Sequence, residues 1–590
     1  MPEYLAPGVY VEETSFRAPS IEGVGTSTAA FVGPTLTGPV PKKPDKEIDP
    51  NPPELLTSFG DFAARYGGYD SLTIAGKGDP KNINHMALSV KAFFDNGGSR
   101  LYVSRVFTPK GANDTGLATS GSAGDDKVAL AARFPGSALN DKSVVVTLIA
   151  AKAQNVGNLP PGSLLVDPDA KDPIDASKTK PIYYSNAAGD FVDISKNDNK
   201  LPATLPTNLT LVTVSVAVPS ASGGTSVYEG LGLDANHPRY IGKVLGPTPP
   251  RRIDQLENQV ALVIGKNLTA STLFAEFFGA DWTKKSDAKA YPLTGGNDGG
   301  EPVNADYETA LQSFEALENI AIVAAPGSAA FASGSQVINT LITHVERPRA
   351  YRVAILETGP NAIASQVQDV RSKIDSSYAA LYTPWVITPN PLSRPGTIIP
   401  AEVAVPPSGF VAGIYARNDN LHSVAKAPAN EVVLGALRFE RNINFAEQGV
   451  LNPLGINCLR FFPGRGYRVW GARTASSNSE IKYVNVRRYL VYLEHSIDIG
   501  TQWAVFENNG PLLWARIKES VEEFLHNELK QGNLYGTSDA EAYFVRCDRS
   551  TMTQNDLDNG RLICLIGVAL LKPAEFVIFR IGQKTADARS

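Results

Sequence analysis

The side chains that could do chemistry are few and scattered. Six histidines, His85, His237, His344, His422, His495 and His526, stand singly. None forms an HxxxH pair or sits beside a zinc partner in sequence, so they read as core or surface histidines. Cys458, Cys547 and Cys564 lie far apart and make no CxxC, which indicates neither a zinc cluster nor a disulfide framework. "NDLDNG" (555–560) spaces Asp556 and Asp558 by two, as a calcium loop would. Its glycine falls one place too early, however, and the twelfth position is Gly567, which offers no carboxylate, so a hydrogen-bonded turn is the better reading. "GGNDGG" (295–300) lacks the Gly-Lys-Ser/Thr of a phosphate loop and does not match GxGxxG; it reads as a hinge or tight turn. No GxSxG elbow occurs, and a triad assembled only by the fold stays open at this level. "RFFPGRGYRVWGAR" (460–473) interleaves arginines with aromatics, a composition that could stack bases but equally builds protein interfaces. The interface or structural reading is preferred because the flanks are neutral or acidic. No catalytic residue, metal ligand or cofactor is therefore assigned, and the chain is expected not to be an enzyme.

The bulk numbers agree with a large globular protein. The chain has 590 residues, 43% of them hydrophobic and 19% charged, with a net charge of −5. No basic imbalance points to nucleic acid or to an anionic membrane surface. The first residues lack a basic and apolar leader, and no run of about 18 apolar residues occurs, so synthesis and assembly in a reducing cytoplasm without direct membrane contact are expected.

The elements that must position these residues alternate. "STAAFVGPT" (27–35) reads as a buried strand, residues 83–98 as a helix stopped by Gly97-Gly98, and "RLYVSRVF" as an alternating strand. Residues 109–290 are rich in small and polar residues with β-like runs such as "SVVVTLIA", suggesting one or two inserted β-rich decorations. Beyond them come a helix at 304–319, strand "IAIVAAPG", a helix near 334–345, strand "RVAILET", a helix at 362–373 and "YAALYTPWVI". Strands separated by helical stretches imply a parallel, helix-covered sheet. Pro511 and Gly532 bracket a helix whose Trp514, Ile517, Val521, Phe524 and Leu525 share one face.

Both ends are strands that lack local partners. "YLAPGVYVEE" carries Tyr4, Val9, Tyr10 and Val11 around a bend at Pro7-Gly8. "EFVIFRI" puts Phe576 and Ile578 on one side and Val577, Phe579 and Ile581 on the other, with Arg580 between. A strand apolar on both faces needs a sheet to enter.

Taken together, these segments resemble the contractile tail sheath family of phages and phage-tail-like injection systems. The carrying stretches are "YLAPGVYVEE", "TSTAAFVG", "FFDNGGSRLYVSRV", "LTGGNDGG" with "DYETAL", "ALYTPWV", "PPSGFVAGIYARND", "KAPANE", "LNPLGIN" and "VWGARTASS". The closing third, from "RRYLVYLEHSIDIGTQWAVFENNGPLLWARI" through "NDLDNGRLICLIGVALLKPAEFVIFRI", is most similar, and looks more like sheaths of bacterial injection systems than those of phages. The resemblance covers 1–108 and about 291–585, with 109–290 matching only as a variable insertion.

That resemblance implies a structural subunit which polymerises as a helical sleeve around a rigid inner tube and contracts from a metastable extended state. The implied partners are other copies of the chain, the inner tube protein, baseplate proteins and a terminator or cap. The particle would be a phage tail, a released injector or a membrane-anchored one. The implied fold is α/β and α+β multidomain. It has an N-terminal linking arm (1–22), a first core part (23–108), outer β-rich insertions (109–290), a subtilisin-like α/β domain without a triad (291–450), a C-terminal domain facing the tube (451–574) and a linking strand (575–590). Tyr4, Pro7, Gly8, Val9, Tyr10 and Val11 of one arm, and Phe576 to Ile581 of the other, would complete β-sheets in neighbouring subunits. Lys518, Glu519, Glu522 and Glu523 are the candidate tube contacts. A subtilisin-like hydrolase with β-rich accessories and a static helical shell are the competing readings.

Overall fold

The computed structural model describes residues 20–41, 52–76, 78–122, 124–153, 158–167, 182–185, 191–193, 208–279 and 287–580. Nine strands form the central sheet: β1 (Ala29–Gly33), β2 (Leu55–Leu56), β3 (Leu101–Arg105), β4 (Ile322–Ala324), β5 (Val353–Glu357), β6 (Ala379–Thr383), β7 (Glu431–Val432), β8 (Ile456–Phe462) and β9 (Gly466–Trp470). Their order is β7-β9-β8-β6-β5-β4-β1-β3-β2. The six from β8 to β3 run parallel, and antiparallel strands close both edges.

Helices cover both faces, as a parallel sheet requires. On one side lie α1 (His85–Asp95) and a later helix; on the other lie α2 (Asn304–Gln312), α3 (Gly334–Val345) and α4 (Ala364–Ser372). The later helix is α5 (Pro407–Leu421). It packs tightly on α1 because it carries glycines at the crossing. A Cβ at Gly409 would lie 2.6 Å from the Ser89 carbonyl oxygen, and one at Gly413 would lie 2.4 Å from that of Phe93. Period-two alternation divides β1 between two cores: Ala29 and Phe31 join the α1/α5 side, Ala30 and Val32 the other.

Two sequence expectations need correction here. "RLYVSRVF", read as an alternating strand, is buried on both faces, because β3 lies between β1 and β2 and all five of its residues are buried. The helix expected over 304–319 ends at Gln312. Ser313 turns its hydroxyl onto the Ala310 carbonyl at 2.6 Å and onto Ser104 Oγ at 2.9 Å, the side-chain competition that disfavours helix continuation.

Residues between β3 and β4 build a separate core. Val128–Ala132 pairs with Val260–Ile264, while Ser143–Lys152 and Thr210–Ser220 form the middle of a larger antiparallel sheet. Alternate Val212, Val214, Val216 and Val218 point inward against Phe274 and Phe277. The "GGNDGG" turn joins this region to the central sheet. The Asp298 carboxylate accepts from the Thr73 backbone at 2.8 Å, Thr73 Oγ1 at 2.9 Å, the Ser137 backbone at 2.8 Å and Ser137 Oγ at 2.7 Å.

A last core gathers α6 (Val484–Gly500), α7 (Pro511–Lys530) and a hairpin of β10 (Tyr543–Arg546) and β11 (Leu565–Val568). Pro511 begins α7 and Gly532, at φ 77°, follows its end, as the sequence indicated. Arg488 of α6 and Asp419 of α5 form an ion pair with side chains 2% and 4% exposed, which also binds Thr26 through its hydroxyl and carbonyl. The chain is thus a mixed α/β multidomain protein.

Candidate functional site

The segment after β11 leaves the body by a built anchor. Asn485 at the start of α6 donates to the Leu571 carbonyl at 3.1 Å and to the Ala425 carbonyl at 2.8 Å. Four residues on, Glu575 accepts from Arg473 Nε at 2.8 Å and Nη2 at 2.7 Å, from Asn452 Nδ2 at 2.7 Å and from Tyr483 Oη at 2.9 Å. The Arg473 and Glu575 side chains are 6% and 19% exposed. Burial alone would raise the Glu575 carboxyl, but the hydrogen bonds from Arg473, Asn452 and Tyr483 outweigh it and hold the group below its ordinary range. Burial and the neighbouring Glu575 raise the Tyr483 hydroxyl.

Past this anchor the chain turns apolar and stays largely exposed, with Phe576, Val577 and Ile578 at the border of a groove. Phe576, Val577, Ile578 and Phe579 are 71%, 69%, 79% and 83% exposed. Burying four such side chains is worth about 1.5–3 kcal/mol each, so their exposure leaves a large driving force unused. Among the described residues, 571–580 pair with no strand. A groove of about 990 Å³ runs beside this tail, lined by Phe445, Gln448, Asn452, Trp470 and Tyr483 among others. Arg580 is exposed, while Ile581 and the N-terminal Tyr4, Pro7, Gly8, Val9, Tyr10 and Val11 lie outside the described residues.

The β10/β11 hairpin is the complementary feature. Tyr543 faces Val568 and Arg546 faces Leu565 in antiparallel register, and neither strand has a second partner strand among the described residues. Val545 packs inward on α7, whereas Phe544, Leu565 and Ile566 are 53%, 49% and 36% exposed. A two-stranded sheet is marginal alone, and its unpaired edge N–H and C=O groups are a template for added strands.

On α7 the four candidate contact residues share the face opposite Trp514, Ile517, Val521, Phe524 and Leu525. Lys518, Glu519 and Glu523 are exposed and Glu522 is half-buried. Lys518 already faces Glu522 at 3.7 Å, a surface pair worth roughly 0.3–0.5 kcal/mol and so easily exchanged.

The remaining sequence candidates find structural roles. Arg460, Arg465 and Arg468 of "RFFPGRGYRVWGAR" bind the Ile443 carbonyl, Asn430 Oδ1 and the Asn430 carbonyl, and Arg465 lies over the Trp470 ring. "NDLDNG" is a short helix, Gln554–Asp558, rather than a bare turn, because Thr553 and Asp556 cap each other. Among the described residues no group of three or more His, Cys, Asp or Glu is placed to hold a metal ion.

One buried polar cluster sits at the carboxyl ends of the parallel strands. Glu357 accepts from Ser408 Oγ at 2.5 Å and from the Gly327 N–H at 2.6 Å, and burial pushes its carboxyl up to about 8. His85, pushed down to about 4 by burial, lies edge-on to Trp385. Ser408 is fully buried with its hydroxyl engaged by the acid, and no hydrogen bond joins it to His85 among the described residues. This places a serine, an acid and a histidine near one another without the relay that a serine nucleophile needs.

Two domain families match the chain in succession: the phage tail sheath protein central domain over 300–475 and the phage tail sheath C-terminal domain over 476–584. The tail sheath protein of Vibrio phage KVP40 is 25% identical over 188 residues, 31% of this chain and 27% of that protein. A prophage major tail sheath protein of Pseudomonas aeruginosa is 24% identical over 267 residues, 44% of this chain and 64% of that protein. The matches therefore span less than two thirds of either relative. The anti-feeding prophage helical sheath in its contracted state shares the fold at a TM-score of 0.52 and 19% identity, over 98% of this chain and 100% of that one. The contracted sheath of the extracellular contractile injection system PVC does so at 0.50 and 18%, over 99% of both chains. The anti-feeding prophage baseplate structure contains a chain matching at 0.51 and 19%, over 99% and 100%.

Proposed function

The chain belongs to the phage tail sheath family, and we propose that it is the repeating subunit of a contractile sleeve whose copies are joined by strand addition. The observation that carries this is the pairing of an exposed apolar tail, rooted by the Glu575 anchor, with a hairpin that among the described residues has no third strand, Leu534 bridging only Leu570 just past β11. Intramolecular insertion would consume both features; intermolecular insertion uses each once per subunit and so extends a lattice. An added strand of about five hydrogen bonds contributes roughly 1 kcal/mol per bond. Apolar burial adds to that. Each joint is modest, but a network of them keeps copies connected while larger surfaces separate and repack.

In this reading residues 1–22 and 575–590 are the linking arms, with Pro7-Gly8 and Lys572-Pro573 as pivots. Residues 291–450 act as a subtilisin-like scaffold, 109–290 as outer decoration and 451–574 as the part nearest an inner tube. Lys518, Glu519, Glu522 and Glu523 would make exchangeable polar contacts with that tube. Contraction needs two packings of different free energy, the extended one held by tube and baseplate, and no nucleotide. The engaged hydroxyl of Ser408 weighs against the hydrolase reading.

Deleting residues 1–12, or the tail from Glu575, should leave a folded, soluble chain that forms no sleeves by electron microscopy. Sleeves of normal appearance from either truncation would refute strand addition for that arm, and stoichiometric labelling of one serine by a serine-directed probe would favour the hydrolase.

A further inference from the structure

The cysteines that the sequence places far apart are not all apart in the fold. Arg546 and Leu565 are the last paired residues of the β10/β11 hairpin, and one step further the register sets Cys547 opposite Cys564. The Ala569 N–H donates to the Ala542 carbonyl at 2.8 Å, which makes Ala542/Ala569 a hydrogen-bonded pair of the ladder. Counting along β10, alternate pairs bond, so Cys547/Cys564 falls on a non-hydrogen-bonded position. Directly opposed Cα atoms there are about 4.5 Å apart, inside the ~4.4–6.8 Å span of disulfides. Each thiol lies close enough to the other to influence its titration. Cys547 is buried and Cys564 is half-buried, so one sulfur is reachable from solvent and the other lies behind it. Cys458, in β8, is fully buried.

We propose that Cys547 and Cys564 form an intrachain disulfide site, closed by exchange with a low-molecular-weight disulfide. The Cys564 thiolate attacks one sulfur of the small disulfide, forming a mixed disulfide and releasing one small thiolate. The Cys547 thiolate then attacks the Cys564 sulfur and expels the second. Two protein thiols are oxidised to one disulfide, the small disulfide is reduced to two thiols, and the two protein protons end on the released thiolates. Burial, then the Cys547 thiol beside it and Glu522 of α7, raise Cys564 to about 12; burial, with Asp548 adding, raises Cys547. The thiolate fraction is small at neutral pH, so closure is slow there and speeds up with pH. The bond would staple the loop 548–563 to the hairpin and pin its register. The value of a pinned register to assembly rests on the strand-addition reading; the disulfide itself does not.

The test uses the unassembled full-length chain, freed of reductant and incubated with oxidised glutathione at pH 7, 8 and 9. Thiols are counted after denaturation and peptides are mapped without reduction. The expected result is a fall from the three thiols of the sequence to one, a Cys547–Cys564 linked peptide retaining no glutathione, and Cys458 still free. The rate should rise about tenfold per pH unit. Cys547→Ser should stop at a mixed disulfide on Cys564. Glutathione left on Cys564 in the unaltered chain, a disulfide between chains, or three persisting thiols would overturn the proposal. None of these outcomes depends on whether sleeves form.

Discussion

Replacing Glu575 by alanine would remove the carboxylate that receives four hydrogen bonds and would strand the Arg473 guanidinium, whose side chain is 6% exposed. Arg473 would keep only the Asn452 carbonyl, at 2.9 Å. Leaving one partner of a buried pair unpaired costs about 3–5 kcal/mol. Because the Glu575 side chain is itself 19% exposed, the lower end, about 3 kcal/mol, is the appropriate figure. That loss falls on a chain segment beyond the last strand, so it should free the tail root rather than unfold the body. At 1.4 kcal/mol per factor of ten, a loss of about 3 kcal/mol makes detachment of the root on the order of 100-fold more frequent. If an aimed tail is what enters the neighbouring hairpin, the concentration needed for assembly should rise by up to that factor. Sedimentation of sleeves across a concentration series measures it, with circular dichroism to confirm the fold. Glu575→Gln, which keeps one of the two acceptor oxygens that Asn452 and Tyr483 use but loses the charge, should fall between. Assembly of Glu575→Ala at the unaltered concentration would refute the anchoring argument.

The same carboxyl sets a pH dependence. Its folded pKa lies below the ordinary 4.5, so its stabilisation is complete above that value and is lost as the pH falls through the lowered one. Light scattering between pH 6 and 3.5 should show an acid-dependent loss of sleeves that is smaller in Glu575→Gln. Asp419→Ala should destabilise the folded chain by about 3–5 kcal/mol in urea titrations, since Arg488 would remain buried and unpaired while Thr26 loses its acceptor. Glu357→Gln should behave in the opposite way. Its carboxyl is raised to about 8 from 4.5, so the unaltered protein loses stability as the pH rises from about 4.5 to 8, and the glutamine variant should gain on it by up to about 5 kcal/mol over that window in urea titrations at successive pH values.

Much of the scaffold was legible because its signals are local. Pro511 and Gly532 bracket α7, and the apolar spacing of Trp514, Ile517, Val521 and Leu525 gives its buried face directly. The alternation of strands and helices between β4 and β6 implied the parallel sheet that the structure displays. The sequence shows Phe576 to Phe579 as apolar on both faces of a would-be strand; in the structure they are exposed and form no strand. What was not legible depends on long-range register. Glu575 meets Arg473 across 102 positions, and Asp298 gathers Thr73 and Ser137 across 225 and 161. Cys547 and Cys564 become neighbours only once the β10/β11 register is known. The helix expected to run to 319 failed for a local reason that periodicity ignores, the back-bonding hydroxyl of Ser313.

The central claim, that copies of this chain are joined by tail strands entering β10/β11 hairpins, is tested most directly by a helical cryo-electron microscopy reconstruction of sleeves grown from the full-length chain. The account predicts that residues 575–580 form a strand hydrogen-bonded to the edge of the hairpin of a different copy, with Phe576 and Ile578 on one face and Val577 and Phe579 on the other. A hairpin that remains two-stranded in the sleeve, with each tail lying along the groove of its own subunit, would contradict it.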